Sequence, residues 1–217
     1  MPGPLSEDEI AAFGSDGFVR LTHAFSRSLA DECCDLLWEQ LSVERDIPAS
    51  WQQSVIAVPP TTEAAFIESL TTPRLTATFD QLLGMEAWQR PTAVGPFVVR
   101  FPSLSDPGDT GWHADGRFER NAAEPNDGPS DRVLSLLCLY TDVVVADAPV
   151  RLVRGSHRAQ AKPDEVAAAN ASDVLHAVGR AGDVYLCHPS LVHAASFPQR
   201  GNRPRVMSQQ GIIAQGR

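Results

Sequence analysis

No stretch of this chain approaches the roughly 18 to 20 uninterrupted apolar residues that a membrane-crossing helix requires. Residues 1–9, MPGPLSEDE, also lack the basic and apolar regions of a secretory signal. A cytoplasmic protein with no membrane association is therefore expected. Basic residues are few as well. Eighteen Lys and Arg stand against 27 Asp and Glu, and no Lys/Arg run offsets the formal net charge of −9. That field repels a phosphate backbone, so nucleic acid is not an expected partner. Cysteine is scarce: Cys33, Cys34, Cys138 and Cys187 show no C-x-x-C spacing of a structural zinc site. Adjacent Cys33 and Cys34 are poorly placed to bond to each other, and reduced, buried thiols are the simplest reading.

Internal repeats and low-complexity tails are absent too, and what remains has an ordinary globular composition of 43% hydrophobic and 21% charged residues. Residues 1–217 read as one domain. Ser6-Glu7-Asp8-Glu9 is a capping box that opens a short helix through Phe13. Asp16-Gly17 turns the chain into a short strand at 18–21. Leu29, Cys33, Leu37 and Leu41 recur at helical spacing, which predicts an amphipathic helix over 26–41. Further helices are expected near 63–70 and 74–83. After Pro91 the character changes. Short strands are expected at 94–101, 132–142, 150–153, 182–186 and 204–213, with polar loops at 103–110 and 119–130 and a helix at 163–169. The expected fold class is mainly β with N-terminal helices. Residues 1–90 would be a mostly helical support, and residues 91–217 a β-sandwich or jelly-roll core.

Three segments carry chemistry. In the first, Gly111-Trp112-His113-Ala114-Asp115-Gly116, residues i and i+2 of an extended chain share a side. His113 and Asp115 can then present an imidazole nitrogen and a carboxylate oxygen to one metal. Such ligands suit Fe(II), and a second His completes the two-His-one-carboxylate facial triad. Chance produces H-x-D often, so this pair alone reads equally well as a solvated surface turn. In the second segment, Gly182 to Ser196, a turn launches an apolar strand, Pro189 ends it, and His193 follows among small residues that allow close approach of a metal. An isolated His of this kind is otherwise a hydrogen-bonded core residue. The third segment is Asn202-Arg203-Pro204-Arg205-Val206-Met207-Ser208. An inward Arg on an apolar strand needs an anion, and a bidentate guanidinium–carboxylate pair would anchor a keto-acid's far carboxylate. Arg203 and Arg205 share parity; Arg205 lies deeper in the apolar run and is favoured.

In this order the three segments resemble the phytanoyl-CoA dioxygenase family of 2-oxoglutarate oxygenases. Leu5 to Phe13 with Asp16-Gly17-Phe18-Val19 is similar to the family's opening, and Arg151 to His157 to its P-G-S-H segment. The resemblance spans residues 5 to 210. Two turns depart from it: Arg154 stands for the usual Pro, and Asp147-Ala148-Pro149 replaces a common Asn-Gly. The chain is also short for the family.

The resemblance implies a double-stranded β-helix, a distorted, cupin-like jelly roll. It implies His113, Asp115 and His193 as the metal ligands and catalytic centre, Arg205 as the cofactor-binding residue, and Fe(II), 2-oxoglutarate and O2 as the reactants. The expected reaction is hydroxylation of an unactivated C–H in a small-molecule substrate, a metabolite or natural-product intermediate, with succinate and CO2 as co-products. Asp115 argues against halogenation, because the family's halogenases carry a small residue there. Desaturation and cyclisation use the same ligands. Two alternatives stand beside this reading: a cupin-like metalloenzyme that does not use 2-oxoglutarate, and a non-catalytic jelly-roll binding protein. Trp112, Arg117, Phe118, Gln52 and Gln53 are candidate substrate contacts. His157 reads as a structural turn residue, and His188 with His193 as a weaker competing metal pair.

Overall fold

The computed structural model describes residues 3–115 and 132–216. Helix α1 (Glu7–Asp16) begins with the expected capping box: Ser6 Oγ accepts from the Glu9 N–H, and the Glu9 carboxylate accepts from the Ser6 N–H. Gly17, at φ 83°, ends the helix in the left-handed conformation that glycine adopts without penalty. The chain turns at once into β1 (Phe18–Leu21). Helix α2 (Arg27–Trp38), capped by Ser26, buries Leu29, Cys33 and Leu37 on one face. It stops at Trp38, so Leu41 lies past its end rather than on it. Strand β2 (Val55–Val58) and helices α3 (Ala64–Leu70) and α4 (Pro73–Leu83) follow. Thr72 caps α4, and Pro73 sits in its first turn, where a missing N–H costs nothing.

The remainder is mainly strand: β3 (Phe97–Arg100), β4 (Arg132–Leu139), β5 (Arg151–Val153), helix α5 (Pro163–Ala169), β6 (Val174–His176), β7 (Val184–Cys187), β8 (His193–Ala194) and β9 (Arg205–Ile213). All pairings are antiparallel. Six strands form one sheet in the order β1-β7-β4-β9-β3-β2, and three form a second in the order β6-β5-β8. The sequence does not announce β2, β6 or β8, because each is too short to display an alternating pattern. Residues 1–90 contribute more than helices. They supply β1 and β2, which are the two edges of the large sheet.

Alternation along the strands gives the large sheet two different faces. Val19, Leu21, Val184, Leu186, Leu136, Cys138, Val206, Phe97 and Val99 point toward α2, α3 and α4, where Leu37, Phe66, Leu70 and Phe79 complete the main core. Phe66, Phe97 and Tyr140 pack ring on ring there, with centroids 4.8 to 6.0 Å apart. Leu137, Leu139, Tyr185, Cys187 and Met207 take the opposite face, with Leu152 of the small sheet packed against them. The candidate site opens on this second side.

The turn before β7 ties the two halves of the chain together. Gly182 has φ 94°, and a Cβ there would lie 2.3 Å from the Phe25 carbonyl oxygen. Buried Asp183 accepts from the His23 N–H at 2.9 Å and the Arg180 N–H at 3.0 Å. No helix among the described residues is long and apolar enough to cross a membrane.

Candidate metal centre and adjoining cavity

His113 and His193 face each other across a single antiparallel bridge. The His113 N–H donates to the His193 carbonyl at 3.0 Å, and the reverse bond is 2.8 Å. Residues paired in this way project their side chains to the same face. The two imidazoles accordingly lie with ring centroids 4.3 Å apart. Asp115, two residues beyond His113, returns its carboxylate to that face. One ligand atom from each of His113, Asp115 and His193 falls within 4.8 Å of the others. Among the described residues this is the cluster of His, Cys, Asp and Glu side chains able to hold a metal ion.

The tautomers can be deduced. Nδ1 of His113 lies 3.0 Å from the Gly111 carbonyl oxygen, and Nδ1 of His193 lies 2.9 Å from that of Leu191. A carbonyl only accepts, so each Nδ1 carries a proton, and in the neutral imidazole each Nε2 then presents a lone pair. Gln209 fits the same logic. Its side-chain nitrogen lies 2.9 Å from Asp115 Oδ1 and 3.0 Å from His193 Nε2. A carboxylate cannot donate, so the amide N–H groups face these two acceptors. The same lone pairs are those a divalent cation would take. The donor set, two imidazole nitrogens and one carboxylate oxygen, suits Fe(II).

Two further side chains hold the ligand-bearing segments in place. The Arg151 guanidinium stacks on Trp112 at 4.4 Å. It donates to the Thr110 carbonyl at 2.9 Å and to the Ala195 carbonyl at 2.9 and 3.1 Å. One cation thus clamps the chain just before His113 to the chain just after His193. Trp112 consequently turns away from His113 and lines a separate groove with His176 and Phe197.

Behind the cluster lies a cavity of about 160 Å³ whose walls include His113, His193 and Gln209. Val98, Leu137, Val150 and Met207 line it with apolar surface, and Arg100 and Arg205 supply charge. Arg205 is 2% exposed and donates to the Ala148 carbonyl. Burial, and then neighbouring Arg100, pull its pKa down to about 9. Ala148 itself has φ 52° and ψ 61°. The turn read from sequence as a departure from Asn-Gly therefore keeps a left-handed residue, and its carbonyl serves Arg205. Arg203 is exposed and outside this cavity.

Other residues singled out from sequence are placed as follows. Gln52 and Gln53 are exposed, with Gln52 bonded to the Ala49 carbonyl. Arg117, Phe118 and the 119–130 loop lie outside the described residues. His188 turns toward His157, with ring centroids 5.1 Å apart, and its Nδ1 accepts from the Ser190 N–H. Gln209 and the clamping role of Arg151 were missed. For Gln209 the signal was available, since Arg205, Met207 and Gln209 alternate along one strand face.

The phytanoyl-CoA dioxygenase (PhyH) family profile matches residues 13–207. The chain belongs to the phytanoyl-CoA dioxygenase family. An ectoine dioxygenase of Bordetella parapertussis (strain 12822) is 31% identical over 170 residues, a match covering 71% of this PhyH-family chain. The chain spans 50% of the length of that curated relative. Two solved structures show the shared fold. A crystal structure of EctD from S. alaskensis with 2-oxoglutarate and 5-hydroxyectoine has a TM-score of 0.67 at 21% identity, covering 98% of this chain and 77% of its own. The non-heme alpha-ketoglutarate-dependent epimerase SnoN from nogalamycin biosynthesis has a TM-score of 0.63 at 19% identity, covering 95% and 81%.

Proposed function

We propose that this PhyH-family protein is an Fe(II)- and 2-oxoglutarate-dependent oxygenase that hydroxylates a small molecule. The observation that carries the reading is the His113–Asp115–His193 cluster at the wall of a cavity that also holds a buried Arg205. In this reading the two sheets are the halves of a double-stranded β-helix, residues 1–217 act as one catalytic domain, and the metal stands between the sheets.

His113 Nε2, His193 Nε2 and an Asp115 oxygen would hold the iron, and the cavity behind them would take 2-oxoglutarate. When bound, the iron and 2-oxoglutarate supply the chemistry: O2, co-substrate and substrate C–H become succinate, CO2 and a C–OH. The protein's own part is positional and electrostatic. The Gly111 and Leu191 carbonyls keep both imidazoles in the ligating tautomer and orientation. Arg205 places a guanidinium where a distal carboxylate can pair with it, and a charge-assisted contact of this type is stronger than a neutral one. Val98, Leu137, Val150 and Met207 exclude water between these two polar ends. Asp115 retains the carboxylate that hydroxylases carry. Ectoine dioxygenase relatives make a compact polar metabolite the natural first class of substrate to screen.

The test is calorimetric titration of 2-oxoglutarate into anaerobic, Fe(II)-loaded protein, alongside His193→Ala and Arg205→Ala. One-site binding with a metal-to-ligand charge-transfer band is expected in the wild type. His193→Ala should lose the band through loss of metal, and Arg205→Ala should weaken binding while retaining metal. Wild-type protein that binds Fe(II) but no 2-oxoglutarate would sink this reading in favour of a cupin-like enzyme that works without it.

A further inference from the structure

Arg100 and Arg205 are direct register partners on β3 and β9, and both line the cavity. They are 1% and 2% exposed. Like charges directly opposite on a sheet repel, and burial makes each more expensive. Among the described residues one carboxylate bonds to the pair, that of Asp109, which bonds to Arg100 and is itself 38% exposed. Asp147 also favours the Arg205 charge, but through space and without an ion pair. The hydrogen bond of Arg205 goes to a carbonyl. The Nε of each arginine is buried with no hydrogen-bond partner among the described residues. Two adjacent buried guanidinium groups thus share one ion-paired carboxylate and keep donors that a further carboxylate would take.

We propose that Arg100 is a second anchor for the co-substrate's distal carboxylate, shared with Arg205, and that Asp109 competes with that carboxylate for Arg100. The proposal rests on the 2-oxoglutarate reading and extends it to residues outside its ligand set. Val98 and Arg100 alternate on β3 as Met207 and Arg205 do on β9. The paired strands therefore present an apolar step and then a doubly cationic one, which matches a short carbon chain ending in a carboxylate. A bare hydrocarbon end would leave both guanidinium groups unanswered, so the pocket should discriminate on that carboxylate.

The experiment compares two 2-oxo acids on anaerobic Fe(II)-loaded protein, reading affinity by calorimetry and by the charge-transfer band. 2-Oxoglutarate carries the distal carboxylate; 2-oxopentanoate keeps the chain and puts a methyl in its place. Arg100→Met should weaken 2-oxoglutarate at least tenfold and leave 2-oxopentanoate within twofold of wild type. Arg100→Lys should recover part of the loss, because it restores the charge without the fork. Asp109→Asn should tighten 2-oxoglutarate severalfold, a gain that misfolding cannot imitate. Loss of both acids in equal proportion in Arg100→Met would assign Arg100 a purely structural role and overturn the proposal. So would 2-oxoglutarate affinities unchanged in both Arg100→Met and Asp109→Asn. Wild-type protein that binds neither acid overturns the co-substrate reading itself, and the shared anchor falls with it.

Discussion

The side-chain amide of Gln209 donates to Asp115 Oδ1 at 2.9 Å and reaches His193 Nε2 at 3.0 Å. It thereby bridges two of the three side chains proposed to bind iron, from a strand that carries none of them. Metal taking those lone pairs must displace the amide.

Gln209→Leu is therefore expected to tighten Fe(II) binding, because the displaced interaction is charge-assisted and contributes about 1.5–3 kcal/mol. An increase of about tenfold or more follows from that range. Competition against a fluorescent chelator under anaerobic conditions measures it directly. A variant that binds metal more weakly than wild type would instead make Gln209 a support for the loaded site.

Asp183→Ala should destabilise the fold by about 2–4 kcal/mol, since it strips the acceptor from two backbone N–H groups in the turn before β7. Urea unfolding should show a lower midpoint at an unchanged slope. A shift worth less than about 1 kcal/mol would mean that water replaces the carboxylate freely.

All four cysteines are buried and form no disulfide. Burial pushes the Cys33, Cys34 and Cys138 thiols up to about 12, and moves Cys187 in the same direction. At pH 8 roughly one thiol in ten thousand is then ionised in the folded protein. An aromatic disulfide reagent should find almost no reactive thiol in native protein and all four in urea. Rapid native labelling of any one would show local opening at that position.

The parts of the candidate site that lie within one segment are legible in the sequence. His113 and Asp115 stand two apart, and strand parity alone puts them on one side. Arg205 was favoured over Arg203 by its depth in an apolar run, and the cavity holds Arg205. Features that depend on which strands are neighbours were not readable. Arg100 acquires meaning only because β3 pairs with β9, and that pairing joins residues far apart in the chain. Arg151 likewise clamps two segments whose proximity is a product of the fold. Strands of two to four residues, such as β8 and β2, carry too few side chains to reveal a period. Ser6, Ser26 and Thr72 mark the starts of their helices clearly, because capping is local chemistry.

The placement of β1 and β2 bears on any attempt to trim the protein. A fragment beginning at residue 91 would keep every side chain proposed to bind iron or co-substrate, yet it would strip both outer strands from the large sheet. β7 and β3 would then offer rows of unpaired amides and carbonyls to any passing chain, a template for edge-to-edge association. Such a minimal core should precipitate rather than work in isolation. The N-terminal segment, which carries none of the proposed ligands, thus guards both edges of the large sheet against association.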